Sequence, residues 1–149
     1  MPNNEEAKKI LKSYKQLIIR KQQMQKTINN LESAIQTAKG SNLDQNGFGG
    51  CNSSVAAKIA RLVDLKMQFE KLEMQIYQQL LEIEKVLYLV ASAGVIFANI
   101  LYYKFIEFKT IEDIAELLGY CRSQTIRIYN KALVNFYIKY EEESHNATS

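Results

Sequence analysis

The chain has 149 residues, 47% hydrophobic and 23% charged, with a formal net charge of +3. That balance describes a folded protein and excludes a disordered polyelectrolyte, while so small a charge means that any acidic partner must be argued from where the cations sit. Two cysteines seventy positions apart, Cys51 and Cys121, and one histidine, His145, exclude zinc-finger spacing and a disulfide framework.

The single proline, Pro2, leaves every helix interior with its backbone donors, so long helices are permitted throughout. The N-terminus, MPNNEEAKKI, has no apolar segment after a basic start, so no secretory signal is expected and the setting reads as reducing and cytoplasmic. From Lys8 to Lys26 there are seven Lys or Arg and no acid. Apolar residues fall at Tyr14, Leu17, Met24, Ile28, Leu31, Ile35 and Ala38, with Lys21 in the one remaining slot of a 3,4 spacing. This predicts a coiled-coil seam of about four heptads, with Lys21 either setting register or snorkelling to water.

GSNLDQNGFGGCNSS follows, and its glycines predict a mobile loop over 40–53, with Ser53 or Ser54 capping the next helix. A second seam runs through Leu62, Leu65, Phe69, Leu72, Ile76, Leu80, Ile83, Leu87 and Val90, with one extra four-residue step after Ile76 that reads as a stutter. Two helices of roughly 35 residues, each on the order of 50 Å, form an antiparallel hairpin over 1–90. Pairing with another chain would satisfy the same seams.

From Val86 to Tyr103 the sequence VLYLVASAGVIFANILYY carries no charge and has tyrosines near both ends, the pattern of a short membrane span. Ser92, Gly94 and Asn99 argue instead for a helix end, a small-residue joint at Ala91 to Gly94 and a buried helix from Val95. A membrane role is the weaker reading.

Thr110 is placed to cap a helix over Ile111 to Leu118, with Asp113 three positions on completing a capping box. Gly119 then supplies a left-handed turn, and a further helix starts near Cys121 or Arg122. Thr125, Ile128, Tyr129, Ala132 and Phe136 recur at helical spacing as its inner face. The opposite face carries Arg122, Ser123, Ile126, Arg127 and Asn130, with Gln124 and Lys131 at its edges. Arginine suits guanine edges, Asn or Gln adenine, an apolar side chain the thymine methyl, and flanking cations phosphate. A structural helical hairpin with a solvated outer face would show the same pattern. The last nine residues, 141–149, read as a disordered tail.

The segment LYYKFIEFKTIEDIAELLGYCRSQTIRIYNKAL, Leu101 to Leu133, resembles region four of the sigma-seventy family of RNA polymerase sigma factors. The wider order is similar to the ArpU and RinA type of phage transcription regulators: a long helix with Tyr14, a Gly-containing loop, Ser54, Val55 and Lys58, the LVDL of Leu62 to Leu65, then the region-four-like module. The resemblance implies a DNA-binding regulator of a phage or prophage that activates late or packaging genes in a bacterial host. It places the recognition face on Arg122, Ser123, Ile126, Arg127 and Asn130, and Thr110 near phosphate. Cys121 stands where that family usually has a Ser or Thr cap, and Thr125 where it has Ile or Val, so the Thr125 hydroxyl needs a partner.

The expectation is therefore an all-α chain: a long antiparallel coiled-coil-like hairpin over 1–90, then a helix-turn-helix over 91–140. Its partners would be double-stranded DNA, host RNA polymerase and a second copy through the long helices. A small-terminase-like packaging protein and a coiled-coil interaction or membrane-associated protein are the alternatives. An enzyme fits worst, since no histidine is expected in the folded part and no paired carboxylates or nucleophile with a base can be placed on one face. No metal or cofactor is expected.

Overall fold

A computed structural model describes residues 4–42 and 49–148, and these are all-helical, with no strand among them. In chain order come α1 (Asn4–Asn42), α2 (Gly49–Ala91), α3 (Val95–Leu101), a π-helical segment (Tyr102–Ile106), α4 (Ile111–Leu118) and α5 (Arg122–Thr148). They divide into two compact units: Leu17–Ile76, and Met1–Gln16 with Tyr77–Ser149.

In the unit Leu17–Ile76, α1 and α2 run antiparallel, as the pairing of residues 21 with 73 and 32 with 66 shows. Ile28, Ile35, Leu72 and Ile76 are buried in the seam. Lys21 Nζ lies 3.5 Å from Glu73 and Lys66 Nζ 3.2 Å from Glu32, fixing the register. Lys21 also sits over the Phe69 ring, 5.7 Å from its centroid. Its stem therefore covers the seam while its ammonium reaches a carboxylate and an aromatic face. Of the expected seams, Leu17, Met24, Leu31, Leu62, Leu65 and Phe69 remain partly exposed.

The glycine-rich segment is shorter than expected. Residues 43–48 lie outside the described part, but α1 runs on through Asn42 and α2 already begins at Gly49. Ser53 and Ser54 thus lie inside α2, past its first turn, and not at its N-terminus as expected. Glycine costs only about 1 kcal/mol in a helix, which two helices this long can absorb near their ends.

The second unit joins the first turns of α1 to the end of α2 and the helices that follow it. The first turns of α1 bury Ala7, Leu11 and Tyr14, so they belong to this core and not to a separate hairpin ending at residue 90. Gln79 Nε2 donates to Ser13 Oγ at 2.7 Å, tying α1 to α2 within this unit. A cleft of about 290 Å³ opens where α1, α2 and α5 meet over Ile10, Ile83 and Phe136.

α2 ends at Ala91, and the Ala93 N–H reaches back 2.9 Å to the Val90 carbonyl before α3 starts at Val95. A Cβ on Gly94 would lie 3.0 Å from the Phe97 ring, so the joint is narrow. The uncharged run Val86 to Tyr103 is thus two helices and a turn, with Val86, Leu87, Val90, Ile100 and Leu101 buried. Among the described residues no helix is long and apolar enough to cross a membrane.

Residues 141–148, expected to be a disordered tail, continue α5 through Thr148. Three consecutive glutamates look solvating in sequence, but Glu143 meets Lys85 of α2 at 3.0 Å and so holds that turn against the unit. His145 consequently lies on a helix, 3.7 Å from Glu141, which corrects the expectation that no histidine falls in the folded part.

Candidate nucleic-acid interface

Thr110 has extended backbone angles, and its Oγ1 accepts the Asp113 N–H at 3.1 Å. This forms one half of the expected capping box. No return bond from the Asp113 carboxylate is made among the described residues. α4 buries Ile114 and Ala115 and turns Glu112, Asp113 and Glu116 to solvent. At its end Gly119 takes φ 76°, ψ 25°, and the Gly119 and Tyr120 N–H groups both reach the Ala115 carbonyl, at 2.9 and 3.0 Å. A side chain at that φ would be strained, so the turn requires glycine.

α5 begins at Arg122. Thr125, Ala132, Leu133 and Phe136 are fully buried and set which face points inward. The Thr125 hydroxyl finds its partner one turn back, donating to the Cys121 carbonyl at 2.9 Å, alongside the Thr125 N–H at 3.0 Å. Tyr129 is half-buried and stacks on Phe105, with ring centroids 6.1 Å apart. Burial, followed by the Glu5 charge, pushes its phenol up to about 12.

The outward side of α5 carries the expected set. Arg122, Ser123, Gln124, Arg127, Asn130 and Lys131 are exposed, and Ile126 is partly covered at the edge of the face. Ser123, Arg127 and Asn130 follow the i, i+4, i+7 ridge of one helix face. Thr110 is also exposed; its hydroxyl oxygen serves the cap, and its proton is left to donate.

Two features were not legible beforehand. Arg122 Nε donates to Glu112 Oε1 at 2.9 Å, joining α5 to α4, and this bond together with the Arg122 charge holds the Glu112 carboxyl below its ordinary range. Ten residues separate the pair, a distance that no helical period signals. Cys121, at the cap position, has its thiol 3.3 Å from Ser123 Oγ; that bond first, then the Gln124 N–H, draws the thiol below the usual value.

Behind the turn, Phe108 takes φ 60°, which a bulky side chain rarely adopts. Its ring stacks on Tyr14 of α1 at 6.1 Å, with the Lys15 ammonium 5.5 Å from the ring centroid. The π-helical segment feeds this bend: the Glu107 N–H reaches the Tyr102 carbonyl at 3.1 Å and the Lys109 N–H the Tyr103 carbonyl at 2.9 Å. The N-terminal turns of α1 thus brace the approach to α4.

Comparison with known proteins finds no matching family model, no curated relative and no solved structure.

Proposed function

We propose that this chain is a sequence-specific DNA-binding transcription regulator that reads the major groove with the start of α5. The observation carrying the reading is the α4–Gly119–α5 corner. Its inner residues, Ile114, Ala115, Thr125 and Ala132, are buried, while Arg127 and Asn130 are exposed on the opposite side of α5, Arg127 without an ion-pair partner among the described residues. A buried corner that presents donors for base edges on the first turns of its second helix is the geometry a helix-turn-helix needs.

Arg127 suits a guanine edge, Asn130 an adenine edge, and Ile126 a thymine methyl; Thr110, Ser123, Gln124 and Lys131 flank them toward phosphate. Arg122 would exchange Glu112 for the DNA. The resemblance of Leu101 to Leu133 to sigma region four supports the same reading, and the wider ArpU and RinA likeness adds late-gene activation in a phage or prophage, with host RNA polymerase as a second partner and the bacterial cytoplasm as the setting. The test is fluorescence anisotropy on the bound sequence and a scrambled duplex. Arg127→Ala and Asn130→Ala should each lose sequence preference by about tenfold or more, a loss of roughly 1–3 kcal/mol per base contact.

A further inference from the structure

The face of α2 turned away from α1 carries a second 3,4 stripe within Leu17–Ile76: Ala60, Val63, Met67, Glu70 and Met74. It lies on the opposite side of the helix from the seam of Leu62, Leu65, Phe69, Leu72 and Ile76, whose members are buried or partly buried. Val63 is 53% exposed, Met67 54% and Met74 65%. Single exposed apolar residues are ordinary, but large ones held in coiled-coil register along one helix form a surface shaped for another helix.

We propose that the occupant is the same stripe of a second copy, laid antiparallel across a two-fold axis that passes between Gln68 and Phe69. The charges beside the stripe select this arrangement. Asp64 and Lys71 line one side; Lys66 and Glu73 line the other. In the antiparallel register Val63 meets Met74 of the second copy, Asp64 meets its Lys71 and Lys66 meets its Glu73, and the symmetry makes every pair twice. A parallel pairing in the same register would set Lys66 against Lys71 of the second copy. Lys66 and Glu73 already pair with Glu32 and Lys21 inside the chain, whereas Asp64 and Lys71 have no ion-pair partner among the described residues. The interface supplies those partners.

Glu70 is the discordant member. In this register it packs against Met67 of the second copy, so its carboxylate weakens the association and keeps the dimer exchangeable. The interface makes one operator with two half-sites the natural target of a DNA-reading chain, but the pairing itself is independent of DNA binding.

Sedimentation equilibrium of the full chain without DNA, from micromolar to submillimolar concentration, tests the proposal. The expected result is a monomer–dimer equilibrium. Lys71→Glu weakens it about tenfold or more, Asp64→Lys with Lys71→Glu restores it, and Glu70→Leu tightens it by about tenfold or more. Circular dichroism confirms that each variant remains helical. A chain that stays monomeric even as Glu70→Leu, or a dimer indifferent to Lys71→Glu, overturns the proposal. Either failure leaves the groove-reading proposal standing, because no DNA enters the measurement.

Discussion

Arg122 Nε donates to Glu112 Oε1 across 2.9 Å, so the residue that opens α5 is anchored to the first turn of α4. Both side chains are about two-thirds exposed, so the bond exchanges readily with solvent or phosphate. On the DNA-binding account Glu112→Ala frees a cation and removes an acid beside the duplex. Affinity at low salt should rise several-fold, and the log–log salt slope should steepen by up to about one unit. Weaker binding by this variant would mean that Glu112 aims Arg122 at its target.

Thr125 tests how a hydroxyl survives inside the corner. It is fully buried and donates to the Cys121 carbonyl, but that carbonyl also receives the Thr125 N–H. Thr125→Val removes the donor without orphaning the acceptor, so urea unfolding should place the variant within about 1 kcal/mol of the parent. A loss of about 3 kcal/mol or more would show that the hydroxyl bond holds the α5 entry in place.

Phe108 combines an unfavourable φ with ring contacts to Tyr14 and Lys15. Phe108→Ala loses the contacts and keeps the strain, whereas Phe108→Gly loses both. The glycine variant should therefore be the more stable of the two by about 1 kcal/mol in thermal or urea unfolding, the reverse of their order in an ordinary loop. Equal stabilities would mean that the bend relaxes when the ring is removed.

Tyr129 gives the corner an alkaline limit. The unfolded phenol titrates at its ordinary 10.0, and the folded one is pushed up to about 12. Between those values the folded state binds more protons than the unfolded, so the Tyr129 contribution is complete below pH 10 and is lost as pH rises toward about 12. The slope from this residue is up to roughly 1.4 kcal/mol per pH unit. Denaturant titrations across that window should show a shallower decline for Tyr129→Phe than for the parent. Parallel declines would assign the loss to other groups.

Much of this architecture was readable in the letters, for reasons that differ from place to place. The α1/α2 seam is written in a sustained 3,4 spacing, and the α4–α5 corner in Thr110, Gly119 and the spacing from Thr125 to Phe136, all local rules. What the letters hid depends on partners far away in the chain. The last turns of α5 look like a polar tail until Lys85 meets Glu143, and the first turns of α1 look like hairpin until Ala7 and Leu11 are buried beside the C-terminal helices. The Arg122–Glu112 bond follows from how two helices cross. The outer stripe of α2 is hidden in the letters because Val63, Met67 and Met74 interleave with a stronger stripe on the same helix, and only burial tells the two faces apart.

Selection from random double-stranded DNA, followed by sequencing of the retained fragments, tests most directly whether α5 reads bases. The parent chain should enrich one motif, and Arg127→Ala should retain DNA yet lose preference at the base pair that Arg127 contacts while the rest of the motif persists. No enriched motif from the parent, or an unaltered motif from Arg127→Ala, would contradict the assignment of α5 as the reading helix.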